Sequence, residues 1–173
     1  TGRIGPDALD MVLTDDTAIV SVGHANNEIG TVQDIAALRE VVRARRVPLH
    51  VDAVQSAGWL PLHDLDADAV SIAGHKLGAP KGTGALVVRG RLPLEPLLHG
   101  GGQERGRRSG TVDVAGAVGL ATAGLTAAII FGGIPQVARV AEIVVPFMAG
   151  IYLLAAIIVI VMNLPAVPGA LWQ

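Results

Sequence analysis

Short runs of apolar, β-branched residues recur through the first half of the chain, and turn residues separate them. Runs of this kind predict buried strands at 18–23, 49–51, 69–73 and 84–88. Between the first two runs, apolar residues at helical spacing predict a helix over 35–45, with Asp34 as its N-cap. Strands that alternate with a helix predict an α/β layer.

The last third of the chain has a different pattern, in which ionisable residues almost vanish. Residues 124–173 contain one base, Arg139, and one acid, Glu142, while residues 1–123 hold the remaining 12 Lys and Arg and 14 Asp and Glu. This break in composition predicts two segments, 1–123 and 124–173, with different surroundings.

Residues 144–162 consist almost entirely of Val, Ile, Leu, Ala and Met. A helix of that length rises about 28 Å, which suits a hydrocarbon core of about 30 Å. We expect Pro146 in its first turn, where a missing N–H costs little, and Asn163, Pro165 and Pro168 at its end. A buried core helix is the alternative, but core helices seldom stay apolar on every face.

The preceding apolar stretch, residues 114–134, is rich in Gly and Ala. Small residues lower helix propensity and hydrophobic gain, yet they suit close helix contact in a membrane. They suit a buried helix of a soluble protein equally well. Both interpretations of this stretch stay open.

Net charge and cysteine content argue against several kinds of partner and site. A net charge of -2 provides no basic field, so we expect no nucleic-acid partner. The absence of cysteine excludes disulfides, thiolate zinc sites and a cysteine nucleophile within this chain, and we expect no metal site. A start at Thr1, with no signal-peptide pattern, leads us to expect a fragment.

Three polar elements follow the predicted strands. Asp52 ends one strand, as a helix cap or as a carboxylate that pairs with a protonated ring nitrogen. Lys76 follows another strand at the edge where open α/β sheets bind ligands, and it can form a Schiff base, although a lone lysine is more often merely solvated. The glycines, arginines and hydroxyls at 99–111 are of the types that form a phosphate-binding site.

Four motifs resemble, in order and spacing, those of the fold-type I cysteine desulfurases of the class-V aminotransferase family. They are HANNEIGTVQDI (24–35), HVDAVQSAG (50–58), SIAGHKLGAPKGTGALVVR (71–89) and HGGGQERGRRSGT (99–111). The resemblance covers residues 1–123 and implies a partial pyridoxal-phosphate (PLP)-binding domain of the α/β class. The apolar pattern of the tail separately predicts one or two hydrophobic, transmembrane helices after it. The resemblance also implies a homodimeric transferase that converts L-cysteine to L-alanine and passes sulfur to iron–sulfur cluster assembly.

The same resemblance implies roles for individual residues. Lys76 would hold PLP, Asp52 would pair with its pyridine nitrogen, and Gln55 would contact its phenolic oxygen. His75 would touch the phosphate, and Asn27 would help to hold the substrate carboxylate.

Thr111 would reach the phosphate of a neighbouring subunit, because the family's dimers share their sites. The sequence departs from the family at Ala73, where a serine often supplies a phosphate hydroxyl. It also lacks the persulfide-forming cysteine and a substrate-binding arginine that other parts of the family's chain supply. We therefore expect no activity from this chain alone.

The segment AAIIFGGIPQVARVAEIVVPFMAGIYLLAAIIVIVMNLPAV (127–167) resembles a loop and transmembrane helix of the alanine/glycine:cation symporters. The length of the span and its lack of charge predict a tail inserted in the lipid bilayer. Arg139 before the span, with no Lys or Arg after it, predicts a cytoplasmic N-terminal side, and the cluster Arg105, Arg107 and Arg108 likewise favours a cytoplasmic head. Two alternatives to a desulfurase stay open: a membrane fragment of an amino-acid:cation symporter, and a non-functional chimeric product joined near 121–125.

Overall fold

The computed structural model describes residues 2–90, 92–131 and 134–162. The chain divides into two compact units, Thr1–Leu125 and Thr126–Gln173. The first unit is a mixed α/β structure, and the described residues of the second are helical. The α/β prediction is therefore confirmed for the first unit.

A four-stranded sheet forms the centre of the first unit. Its strands lie in the order β1–β2–β3–β4, with the first three parallel and β4 antiparallel to β3. The strands are β1 (Val20–Gly23), β2 (Leu49–Asp52), β3 (Ala69–Ala73) and β4 (Gly84–Val88). All four lie where the apolar runs predict them, with bounds that differ by two residues at most.

Two helices supply the rest of the core. Helix α2 (Ile35–Ala44) begins as predicted, because the Asp34 carboxylate accepts a hydrogen bond from the Ala37 amide at 3.0 Å. Its residue Leu38 is fully buried in one cluster with Val51 of β2. Helix α1 (Pro6–Val12) was not predicted, because only one of its residues is buried and it therefore has no apolar period.

Helix α3 (Val114–Phe131) begins in the first unit. The Asp113 carboxylate accepts a hydrogen bond from the Gly116 amide at 3.0 Å, and a Cβ at Gly116 would overlap Thr83. A Cβ at Gly119 would come within 2.6 Å of Pro80. The small residues at the start of α3 therefore allow close packing on the loop before β4, which favours the soluble-helix interpretation for this part of the helix.

The second unit contains helix α4 (Ile134–Met162). Its segment Ala138–Met162 is the one helix in the described residues that is long and apolar enough to cross a membrane. The expected position of Pro146 was wrong: the helix begins twelve residues earlier, so Pro146 lies in its interior. There it removes the N–H that would bond to the Glu142 carbonyl, a loss that membrane helices tolerate. The predicted end at Asn163, Pro165 and Pro168 lies outside the described residues.

Candidate active site

The carboxyl ends of the three parallel strands meet at one edge of the sheet. Asp52 pairs with Gly23 of β1 on one side and with Ser71 of β3 on the other. The backbone N–H of His24 donates to the Asp52 carbonyl at 2.8 Å, so the chain segment that leaves β1 stays beside β2. Side chains that follow these strands are thereby gathered along one edge.

The Asp52 carboxylate is exposed at this edge, but one of its oxygens is fixed. Oδ1 accepts a hydrogen bond from the Val54 amide at 2.9 Å and one from the Ser71 hydroxyl at 3.4 Å. Within the described part of the chain, Oδ2 accepts no hydrogen bond. This carboxylate is therefore oriented by the fold while its second oxygen is available to a ligand.

Lys76 ends a single 3-10 turn, Gly74–Lys76, directly after β3. Backbone bonds close this loop: the Gly74 amide donates to the Thr83 carbonyl at 2.8 Å, and the Leu77 and Ala79 amides donate to the Gly74 carbonyl at 2.8 and 3.0 Å. Gly74 must lack a side chain because a Cβ would collide with the Thr83 hydroxyl. The loop is therefore rigid, while the side chains of Lys76 and its neighbour His75 are exposed.

The other two predicted residues of this edge lie in turns. Asn27 is exposed in the turn after β1, which is held by bonds from the Glu28 amide to the Asn26 carboxamide at 2.9 Å and from the Gly30 amide to the Asn26 carbonyl at 3.0 Å. Gln55 is half-buried in the turn that follows Asp52. The topology thus gathers five of the six predicted residues near one edge of the sheet.

Thr111 is the exception. It follows a small antiparallel ribbon of β5 (Gly102–Gln103) and β6 (Arg108–Ser109), outside the four-stranded sheet. At the tip of the ribbon Glu104 and Arg105 both have positive φ, 49° and 58°. Such backbone costs non-glycine residues free energy, and strain of this kind often occurs at functional sites.

Sequence reasoning missed a row of polar side chains that leads to Asp52. The Ser21 hydroxyl lies 2.7 Å from His50 Nδ1, and His50 Nε2 lies 3.1 Å from the Ser71 hydroxyl. Alternation within β2 puts His50 on the face of Asp52. The register then adds Ser21, which pairs with His50, and Ser71, which pairs with Asp52.

A buried histidine beside the site was also missed. His24 is 6% exposed, and its Nδ1 lies 2.9 Å from the hydroxyl of Ser56, which is itself buried. Burial lowers the pKa of His24, because the charged imidazolium loses its hydration there. This pair joins the end of β1 to the turn after β2.

Residues 1–130 match the family model of class-V aminotransferases. The match spans more than half of the chain, and the chain belongs to that family. Its relatives there are cysteine desulfurases. The chain is 51% identical over 126 residues to the cysteine desulfurase IscS of Histophilus somni, an alignment that covers 70% of this chain and 31% of that protein.

Solved structures agree with this assignment. A NifS-like protein is 42% identical, with a TM-score of 0.68 over 73% of this chain and 36% of its own. DndA from Streptomyces lividans is 46% identical, with a TM-score of 0.66 over 73% of this chain and 37% of its own. The resemblance of the first segment to cysteine desulfurases is confirmed, and the chain spans about a third of the length of these relatives.

The tail has a match of its own. Residues 107–173 match the family model of the sodium:alanine symporter family, which confirms the resemblance predicted for this segment. The two matches share residues 107–130, a range that contains most of α3. The matches therefore overlap along one helix and do not meet at a single residue.

Proposed function

We propose that residues 1–123 form the PLP-binding domain of a cysteine desulfurase and residues 124–173 a hydrophobic helical segment. In this proposal Lys76 holds PLP, Asp52 pairs with its ring nitrogen, and Gln55 contacts its ring oxygen. His75 contacts the phosphate, and Asn27 helps to hold the carboxylate of L-cysteine. Thr111 reaches the phosphate bound by a second copy of the chain, as a homodimer requires.

One observation carries the proposal: Asp52 and the Lys76 loop end neighbouring parallel strands at the same edge. The donor set fits the cofactor, since an oriented carboxylate suits a protonated ring nitrogen and an exposed amine suits an aldehyde. The identity of 51% to a cysteine desulfurase supports the choice of reaction.

When bound, PLP supplies the electron sink that stabilises negative charge at the substrate Cα. The Asp52 carboxylate attracts the proton on the ring nitrogen and keeps it there. Lys76 lies at the same edge, where its amine can accept the proton that leaves Cα. Asn27 orients L-cysteine through its carboxylate.

The overall reaction needs one group that this sequence does not contain. L-Cysteine and a protein thiol give L-alanine and a protein persulfide: the carbon–sulfur bond breaks as a sulfur–sulfur bond forms. Because the chain has no cysteine, the thiolate comes from another polypeptide segment. We expect the purified chain alone to release neither alanine nor sulfide from cysteine above a control with free PLP. Release above that control would contradict this part of the proposal.

Reductive trapping tests the cofactor site directly. The chain has two lysines, Lys76 and Lys81. After incubation with PLP and borohydride, peptide mapping should find the label on Lys76. Lys76→Arg should remove the label, and the matched control Lys81→Arg should retain it. Label on Lys81, or equal label on both, would overturn the assignment of Lys76.

We propose a second role for the tail, insertion in a lipid bilayer as a single span with the first unit on the cytoplasmic side. The favouring observation is α4 itself, in which residues 141–162 are all exposed although most are apolar. Arg139 precedes the span and no Lys or Arg follows it, a bias that favours a cytoplasmic N-terminal side. A cytoplasmic first unit also suits an enzyme of sulfur transfer.

Membrane fractionation and thiol labelling test this role. We expect the intact chain to stay in membranes after an alkaline carbonate wash. Because the chain lacks cysteine, Asp66→Cys and Val167→Cys each introduce a single thiol on opposite sides of the span. In intact cells an impermeant thiol reagent should label the second variant and not the first. The reverse pattern would overturn the orientation, and recovery in the wash would overturn the insertion.

The chimeric alternative has its own test. If the two matches reflect a misassembled gene, the genomic sequence across codons 115–130 will not contain the join. A join present in both genome and transcript would support a real fusion of the two segments.

A further inference from the structure

A continuous row of side chains crosses the sheet from β1 to the Asp52 carboxylate. Ser21, His50 and Ser71 come from three adjacent parallel strands, and consecutive polar atoms along the row are 2.7, 3.1 and 3.4 Å apart. The register fixes these neighbours, because Ser21 pairs with His50 and Asp52 pairs with Ser71. The row is thus a property of the sheet and not of a mobile loop.

The direction of every hydrogen bond in this row follows from its last member. An ionised carboxylate only accepts, so the Ser71 hydroxyl gives its one proton to Asp52 Oδ1. Ser71 Oγ must then accept from His50, which places the proton of the neutral ring on Nε2. His50 Nδ1 is left as an acceptor and takes the proton of the Ser21 hydroxyl.

We propose that Ser21, His50 and Ser71 are positioning residues that fix the orientation of the Asp52 carboxylate for the pyridine nitrogen of PLP. This inference rests on the proposed function and adds residues to the same site. Each member holds the next in one rotamer, and the Ser71 and Val54 donors together occupy Oδ1. The plane of the carboxylate is thereby set, and Oδ2 would be the oxygen available to the pyridine nitrogen.

The row can be tested without PLP. In the full chain, in detergent micelles and with ¹⁵N-labelled histidine, the ring nitrogens of the five histidines are observable by NMR. We expect His50 to be the Nε2–H tautomer. Asp52→Asn should change the ring-nitrogen shifts of His50, because an amide can reverse the direction of the row, while the exposed His63 serves as an internal control.

Coupling through Ser71 is the decisive part of that experiment. In a Ser71→Ala background, Asp52→Asn should no longer affect His50, since the connecting hydroxyl is gone. Two results would overturn the row: His50 shifts that are insensitive to Asp52→Asn, or the same change with and without the Ser71 hydroxyl.

The effect on the cofactor is tested by a double-mutant cycle on PLP affinity. Ser71→Ala should weaken PLP binding about tenfold, the size expected for a lost hydrogen bond to a charged group. Ser71→Thr, which keeps a hydroxyl, should retain most of the affinity. Once Asp52 is replaced by Asn, Ser71→Ala should cost no further affinity, whereas a merely structural residue would cost the same in both backgrounds.

The histidine shifts and the PLP affinities test the row and the proposed function separately. If the unmodified chain fails to bind PLP, the proposed function fails, and the histidine shifts still decide whether the row exists. If the chain binds PLP and Ser71→Ala binds it equally well, the positioning role is overturned while the cofactor site stands.

Discussion

The described parts of the two units differ in the exposure of their apolar side chains, which form a buried core in the first unit and are mostly exposed in the second. In the first unit Leu38, Leu49 and Val51 are completely buried between helix and sheet. In α4, Ile151 is 53% exposed and Leu154 is 59% exposed. The hydrophobic effect in water can drive folding of the first unit, because burial of its apolar surface is favourable. The second unit has no such interior among its described residues, and most of its apolar side chains are exposed.

Polar groups follow the same division. The first unit carries ion pairs and a polar row, and its site is built from strand ends and turns. In α4 the backbone bonds are internal to the helix, as a hydrocarbon environment requires. A change in the core should therefore damage the first unit and spare the tail, and a charge in the tail should do the reverse.

The largest expected effect is a cavity in the first unit. Leu38→Ala should lower the free energy of unfolding of this unit by about 2–5 kcal/mol, because the site is fully buried. Urea unfolding in detergent micelles measures the change, and carbonate-resistant membrane association should be unaffected. Met11→Ala is the control, since that side chain is 79% exposed. Loss of membrane association with Leu38→Ala would mean that the two units do not behave separately.

The converse substitution is a charge in the middle of α4. Leu154→Arg should weaken insertion by about 3 kcal/mol, the cost of an arginine at the centre of a membrane helix. The variant should appear in the carbonate wash, with PLP binding by the first unit unchanged. Leu154→Ile is the matched control and should stay in the membrane. If Leu154→Arg instead unfolded the first unit, α4 would be a core helix of a soluble protein.

The fold of the first unit was largely predictable because its signals are local. The runs around Val51 and Val70 are apolar and β-branched, and the Asp34 cap marks the start of α2. Helix α1 was not predicted because its one buried residue, Leu9, gives no helical periodicity of apolar positions. The start of α4 was not predicted because residues 134–143 include Arg139 and Glu142, and charged residues are atypical of an apolar span.

The site was only partly predictable, and for a different reason. Asp52 and Lys76 stand in recognisable motifs at strand ends, so their neighbourhood follows from parallel topology. The row through His50 and Ser71 depends on the register between strands, which no single strand sequence specifies. Thr111 follows a separate ribbon, and its relation to a second copy of the chain is a property of an assembly.

A smaller effect is expected at a half-buried ion pair of the first unit, Arg39 and Asp68. Asp68 accepts hydrogen bonds from Arg39 Nη1 at 2.5 Å and from the Leu49 amide at 2.8 Å. The Arg39 hydrogen bond holds the pKa of Asp68 below its usual value, against the opposing effect of burial. Asp68→Asn should therefore lower the free energy of unfolding by about 1–3 kcal/mol. The control Asp64→Asn, at an exposed site, should change it by less than about 1 kcal/mol.

The pair of Arg39 and Asp68 also predicts that the free energy of unfolding falls at acid pH, a decrease that we call the acid limb. A carboxylate with a lowered folded pKa contributes stability above its unfolded value of 3.8, and that contribution is lost as pH falls through the folded pKa. Asp68→Asn should flatten this limb. A variant with an unchanged acid limb would show that the Arg39 pair does not stabilise the fold.

The smallest expected effect is the pH dependence that His24 gives to the first unit. Its folded pKa is lowered by burial from 6.5, so between 6.5 and the folded value the unfolded chain binds more protons than the folded chain. Stability from the neutral ring is thus fully present above 6.5 and declines as pH falls below it. The slope for one proton is at most about 1.4 kcal/mol per pH unit. Urea unfolding between about pH 7.5 and about pH 5 measures this slope, in a range above the acid limb of Asp68. His24→Gln should remove the slope, and His63→Gln, at an exposed site, should leave it. An equal slope in the His24→Gln variant would assign the pH dependence to another group and leave the buried pair of His24 and Ser56 a purely structural link between β1 and the turn after β2.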